Sequence, residues 1–568
     1  MATTISAPTL KTLMEGDTLY AVLDVRDWGE FTLEQIPRAN SLPRGHLEKY
    51  ITVLVPKKDV HVILYCDTGQ RSIRAAATLE SLGYTNVSVL AAGLQSWKAA
   101  DYETIHGWSL RGKEYGERLQ VEEGIPDLTV EDLHAHLARG EKLYILDTRT
   151  ESEFLTSHLP GAYSVPGGQL ALTVTDIVQD RPIPIVTNCA GRTRSLLGAH
   201  LLRRMRFPQV YALKGGTGAW RIAGYGNELE SGPGTTITPV SSAAGQVAGV
   251  RFAERVATED QLPFMSPWEL KTRQEQSELL YLLDVRQCEE YRAGHIPGAR
   301  FCSGTQIALL VESLVGVKNA TIVTTCDSRA RGILAASLLK GMGYPCVSVL
   351  DGGTHAWSAQ GFSLEVGEPQ EIDYGQPIWL SRLLPGLPVG VSPQELPVPG
   401  LAEAQARTTF ITSGTLHARI ATGERLVLLD LRSAGDFATA HVPGARWLSR
   451  GRLDLQIERE TPDKGSLIVL YCRKGKESTL SALMLKRLGY QHVLVLQDGF
   501  EAWKGAGFPT EQGLGAQTEF EELAVAEVGL LGSGPYGYSM ERMAKYLKDE
   551  EALGEKYRGR KEGSHTAS

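Results

Sequence analysis

Four cysteines stand where a nucleophile would. Cys66, Cys189, Cys326 and Cys472 each follow an aspartate (Asp24, Asp147, Asp284, Asp430) by 42 residues. Each opens a short polar loop: Cys66-Asp-Thr-Gly-Gln-Arg71, Cys189-Ala-Gly-Arg-Thr-Arg194, Cys326-Asp-Ser-Arg-Ala-Arg331 and Cys472-Arg-Lys-Gly-Lys-Glu477. A loop wrapped around a sulfur at a helix start turns backbone N–H groups and the helix N-terminal field toward it. That arrangement is expected to stabilise a thiolate and lower its pKa. It would also hold an anion brought to the sulfur. A lone cysteine is usually a small buried apolar residue. Four in one register, ahead of mostly cationic loops, read instead as nucleophiles.

The side chains expected to bind substrate are Arg71, Arg192, Arg194, Arg329, Arg331, Arg473, Lys474 and Lys476. Over the five residues after each cysteine the net charge is 0, +2, +1 and +2 in chain order. The second and fourth loops should therefore hold a dianion best. Glu477, if it points into the loop, would cancel that advantage in the fourth. Cys288, Cys302 and Cys346 lie outside the loops and are read as packing residues.

Other residues recur with the cysteines. Asp24-Val-Arg26, Asp147-Thr-Arg149, Asp284-Val-Arg286 and Asp430-Leu-Arg432 are expected to pair locally and anchor a strand end. His158, His295 and His441 each begin a His-x-Pro-Gly-Ala, where the first copy has Gln35-Ile-Pro-Arg-Ala. Since one copy lacks it, the histidine is not read as a general base. An acidic-aromatic pair (Glu30-Phe31, Glu153-Phe154, Glu290-Tyr291, Asp436-Phe437) falls between. Trp97, Trp220, Trp357 and Trp503 close a Gly-x-x-x-Trp, 31 residues after each cysteine, and are read as core anchors.

The elements that must position these residues follow from the pattern. His61-Val-Ile-Leu-Tyr and its three counterparts are apolar runs ending at the cysteine, as buried parallel strands do. A loop, a helical stretch and another strand follow, which makes a βαβ unit. Ligands of such sheets bind beyond the carboxyl ends of the strands, where the cysteine sits. The repeat of 123–146 residues is domain-sized. The expected fold is α/β: four repeated domains, each a parallel sheet flanked by helices on both faces. Their bounds are placed at 1–107, 126–228, 262–367 and 408–511, with a charged C-terminal tail over 512–568. Looser links are expected at 101–125, 225–262 and 366–408, and disorder at the extreme C-terminus from Arg558.

Composition excludes several classes. In 568 residues the net charge is −8, so a general electrostatic grip on nucleic acid is not expected. No apolar run is long enough for a membrane helix, and the N-terminus lacks a secretory pattern. Seven cysteines, with no Cys-x-x-Cys, suggest neither a disulfide framework nor a zinc site. Reduced thiols in a cytoplasmic protein, with no metal and no cofactor, are the expectation.

The Asp-x-Arg, the His-x-Pro-Gly-Ala, the single cysteine opening a six-residue loop and the Gly-x-x-x-Trp together resemble the rhodanese family. The resemblance covers four copies and nearly the whole chain. It implies a five-stranded parallel sheet, and a Cys thiolate that takes sulfane sulfur from a donor such as thiosulfate. The persulfide would then pass its sulfur to cyanide or a thiol, with a thioredoxin- or glutathione-type reductant as a candidate partner. The Cys-Arg-Lys-Gly of the fourth loop resembles thiosulfate-using members. A Cys-dependent phosphatase or arsenate reductase is an alternative, but the phosphatases of this fold place five residues between Cys and Arg, and here four intervene. A persulfide carrier or scaffold without rapid turnover is the other.

Overall fold

The structure, a computed structural model, describes residues 3–232, 241–371, 390–391, 398–528 and 539–558. In the first module Thr3–Ile5, Tyr20–Asp24, Asn40–Ser41, His61–Tyr65 and Val87–Leu90 form one parallel sheet, in the order first-fifth-fourth-second-third. The other three modules repeat that order, so the strand before each cysteine is central. A central strand is apolar throughout because both its faces are covered. Val62 and Leu64 enter one apolar cluster, while Ile63 and Tyr65 enter another. The third sheet is longer than expected. Gly390–Val391 and Gln370–Glu371 add two antiparallel strands beyond Arg300–Phe301.

The stretches read as loose links hold helices. Leu110–Glu123 precedes the second module, Ala243–Glu259 the third and Leu401–Arg407 the fourth. In the Gly- and Ala-rich second link the glycines serve close packing rather than looseness. A Cβ on Gly245 would lie 2.7 Å from the Leu172 carbonyl oxygen, and one on Gly249 2.8 Å from that of Ala171. The region read as a charged tail also folds in part, into Glu521–Val528 and Met540–Ala552. Burial of Met543, Leu547 and Glu550 at helical spacing explains why the latter docks. The expected disorder beyond Arg558 lies outside the described residues, as do residues 233–240 of the second link and most of the third, 366–408.

Modules meet in pairs through the turn after the third strand. Gly45 of the first faces Gly451 of the fourth, and Gly168 of the second faces Gly304 of the third. Arg44 clasps Asp454, and Arg450 reaches Glu48, across the first pair. Among the described residues no helix is long and apolar enough to cross a membrane.

Candidate functional site

All four thiols sit at the carboxyl end of the central strand, ahead of the helices Gln70–Ser81, Thr193–Arg204, Ala330–Gly341 and Lys476–Arg487. The Gly-x-x-x-Trp element holds each loop in place. The residue after its glycine (Leu94, Thr217, Thr354, Phe500) donates its N–H to the cysteine carbonyl at 2.8–2.9 Å. A Cβ on Gly93, Gly216, Gly353 or Gly499 would lie 2.1–2.3 Å from that same oxygen. These glycines therefore set the loop, a role their sequence pattern did not disclose. At the sulfur of Cys66 the Gly69 N–H donates at 3.2 Å. Ser72, Ser195 and Ser478 place a hydroxyl 3.4–3.7 Å from the thiol of their modules, where the third module has Gly332.

The Asp-x-Arg pairs do anchor locally. Arg26, Arg149, Arg286 and Arg432 each bind both oxygens of their aspartate and a carbonyl eight residues on. The histidines are structural. Each donates Nδ1–H to the carbonyl four residues before it, at 2.8–2.9 Å, and stacks on that residue's ring. Gln35 donates from Nε2 to the equivalent Phe31 carbonyl at 3.2 Å, which accounts for the departure of the first copy.

The predicted substrate-binding cations are mostly engaged. Arg71, Arg194 and Arg331 form two-pronged pairs with Glu30, Glu153 and Glu290 at 2.6–2.8 Å. Arg71 and Arg331 also bind Asp67 and Asp327. Arg192 is clamped by Glu117 at 2.6 Å and lies 3.3 Å from Asp127. Arg329 lies 3.3 Å from Glu254 and 3.2 Å from Asp351, and Arg473 3.4 Å from Asp436. Lys474 and Lys476 alone of the eight are exposed, Lys474 with Glu501 3.9 Å away. The net loop charge counted along the sequence is thus not the charge the loops present. One signal could have exposed this. The acidic-aromatic pair precedes the last loop residue by 41 positions in every copy, Glu with Arg three times and Asp436 with Glu477 once.

The expected lowering of the thiol pKa is not what the structure favours in the last three modules. The four thiols are only 1–3% exposed, and a buried thiolate loses its water. Burial pushes Cys326 up to about 12, Asp327 adding to the rise and Arg331 and loop N–H groups opposing it. Burial and then the Glu477 charge push Cys472 up to about 12. Burial raises Cys189 against Arg194 and the Ser195 N–H. Glu477 does point into its loop, accepting from the Cys472 thiol at 3.1 Å. Burial works against its carboxylate, but Lys49 and His46 of the first module outweigh that and hold it at about 2. The fourth site thus includes residues of the first module.

Cys288 and Cys302 are buried in the third module and Cys346 is exposed, all away from the loop. Among the described residues no group of three or more His, Cys, Asp or Glu has a metal-binding arrangement.

Comparison with known proteins agrees with this geometry. A thiosulfate sulfurtransferase from Pseudomonas aeruginosa, solved by crystallography, is 29% identical and superposes with a TM-score of 0.78 over 98% of each chain. A sulfurtransferase of Allochromatium vinosum is 31% identical over 99 residues, 17% of this chain and 91% of that protein. The thiosulfate sulfurtransferase GlpE of Pseudomonas putida is 34% identical over 93 residues, 16% of this chain and 82% of its own. The family model described as Rhodanese-like domain matches residues 6–100, 129–223, 266–360 and 412–506. With four such matches in tandem, each on a module of the same strand order and the same cysteine loop, the chain belongs to the rhodanese family.

Proposed function

We propose that the chain is a sulfurtransferase carrying sulfane sulfur as a persulfide on Cys66, Cys189, Cys326 and Cys472. Family membership and the sulfurtransferase relatives support sulfur transfer. The observation that carries the reading is the fourfold recurrence of a thiol beyond the central strand, its loop set by one glycine contact.

In the proposed reaction the thiolate attacks the outer sulfur of thiosulfate. A Cys S–S bond forms as the bond to the sulfonate sulfur breaks, and sulfite leaves with the electron pair. Cyanide then attacks the outer sulfur of the persulfide. Thiocyanate departs and the cysteine thiolate returns. A thiol acceptor, including one of thioredoxin or glutathione type, would leave as a persulfide by the same displacement. No oxidant is consumed.

Thr68, Gln70, Lys474 and Lys476 are exposed on the first and fourth loops, so these modules are the proposed entry points for a small donor. Lys474 and Lys476 would draw a dianion toward Cys472. The test is a set of four proteins, each keeping one loop cysteine with serine at the other three, assayed for thiocyanate from thiosulfate and cyanide. The Cys66-only and Cys472-only proteins should outrun the Cys189-only and Cys326-only proteins about tenfold. Full activity with all four cysteines replaced would overturn the proposal.

A further inference from the structure

The helix Met540–Ala552 lies on the cysteine loop of the second module. A Cβ on Gly218 would meet Met543 Sδ at 3.0 Å, and one on Gly215 would meet Leu547 Cδ1 at 3.0 Å. One turn further, Glu550 is 4% exposed. Its Oε1 accepts from Thr193 Oγ1 at 3.2 Å and from the Tyr546 hydroxyl at 2.7 Å. Its Oε2 has no hydrogen-bond partner among the described residues. That oxygen faces the loop, since a Cβ on Gly191 would lie 2.9 Å from it. Glu117 and Glu254, which also reach cysteine loops from helices outside the sheets, are paired with Arg192 and Arg329. Glu550 makes no ion pair among the described residues. Its neighbour Glu551 takes Lys214 at 3.2 Å.

We infer that Glu550 is a specificity-determining residue of the second module. Its unpaired carboxylate oxygen stands over the Cys189 loop on the path of an incoming anion, and turns this site from small anionic reactants toward uncharged or cationic ones. The inference rests on reading Cys189 as a nucleophile. The electrostatics agree with the geometry: after burial, Arg194 and the loop N–H groups act to lower the Cys189 pKa, and the Glu550 charge acts to raise it.

The test compares two alkylating probes of similar size on the full chain, anionic iodoacetate and neutral iodoacetamide. In each case the thiolate forms an S–C bond and iodide leaves. The rates at Cys189 and Cys66 are read by peptide mass spectrometry. A change in thiolate fraction scales both rates equally, so their ratio isolates the charge met by the reagent. Glu550→Gln, which keeps an oxygen for Thr193 and Tyr546, should raise the iodoacetate-to-iodoacetamide ratio at Cys189 roughly fivefold. The ratio at Cys66 should stay constant. Should that substitution loosen the helix, a chain ended before Ser539 serves as the second variant and must raise the same ratio. An unchanged Cys189 ratio in either variant, including an equal rise of both rates on truncation, overturns the inference and makes the helix a steric cover alone. Neither outcome depends on persulfide formation, so failure of the sulfurtransferase reading would be seen separately.

Discussion

The first and fourth cysteine loops face solvent, whereas the second and third lie under helices that belong to no sheet. The division begins at the third residue after the cysteine. Gly69 and Gly475 stand there with φ of +99° and +87°, and Arg192 and Arg329 with φ of −124° and −141°. Each arginine is held by a carboxylate of the preceding link, Glu117 of a 14-residue helix or Glu254 of a 17-residue one. Among its described residues the link before the fourth module forms a helix of 7 residues, whose Glu403 meets Arg487 at the far end of the helix following the loop. Whether a link helix reaches the loop thus turns one repeated cysteine site into open and covered versions. Between the covered pair a cavity of about 90 Å³ is lined by Gly168 and Thr305 together with Arg194 and Arg331.

The sharpest way to break this comparison is at the link carboxylates. Glu117→Ala leaves the buried Arg192 guanidinium without its main partner, and should cost about 3–5 kcal/mol in chemical denaturation. Glu403→Ala, which removes a surface pair, should cost less than about 1 kcal/mol. Equal costs would mean that the covered loops are not held by their links.

The next effect separates the two open loops. Glu477 raises the Cys472 pKa, so Glu477→Gln lowers it and enlarges the thiolate fraction at any pH below it. The pH profile of Cys472 alkylation should move down by roughly one unit, a tenfold faster reaction at neutral pH. The Cys66 profile should not move, because Arg71 occupies the corresponding position. A Cys472 profile that stays in place would show that the 3.1 Å contact does not control the thiol.

The smallest effect concerns the copy that departs from the histidine motif. Gln35→His should keep a donor on the Phe31 carbonyl while giving up the bond from Gln35 to the Gly107 carbonyl. Thermal unfolding should register less than about 1 kcal/mol of change. A larger loss would mean that Gln35 does more than replace the histidine N–H.

The constant register of Asp, Cys and Trp was enough to establish four modules, their βαβ order and the four cysteines, because these depend on local spacing and apolar period. The Asp-x-Arg anchor was legible for the same reason, its partners being two residues apart. What the arginines bind was not legible in that way. Arg192 meets Glu117 from 75 positions earlier in the chain, Lys49 reaches Glu477 from 428 earlier, and Glu550 reaches Thr193 from 357 later. Loop charge counted along the chain omits all three carboxylate contacts, and counted as free cations side chains that folding neutralises. Thiol acidity went the same way. The loop N–H groups are implied by the motif, but the burial that outweighs them at Cys326 and Cys472 exists only in the packed core. The sequence alone determined where the sulfurs stand, since a strand end and a loop are local structures. Which loops are open, and what charge surrounds the sulfurs, only tertiary packing decided, because desolvation and ion pairing depend on groups brought together from distant parts of the chain.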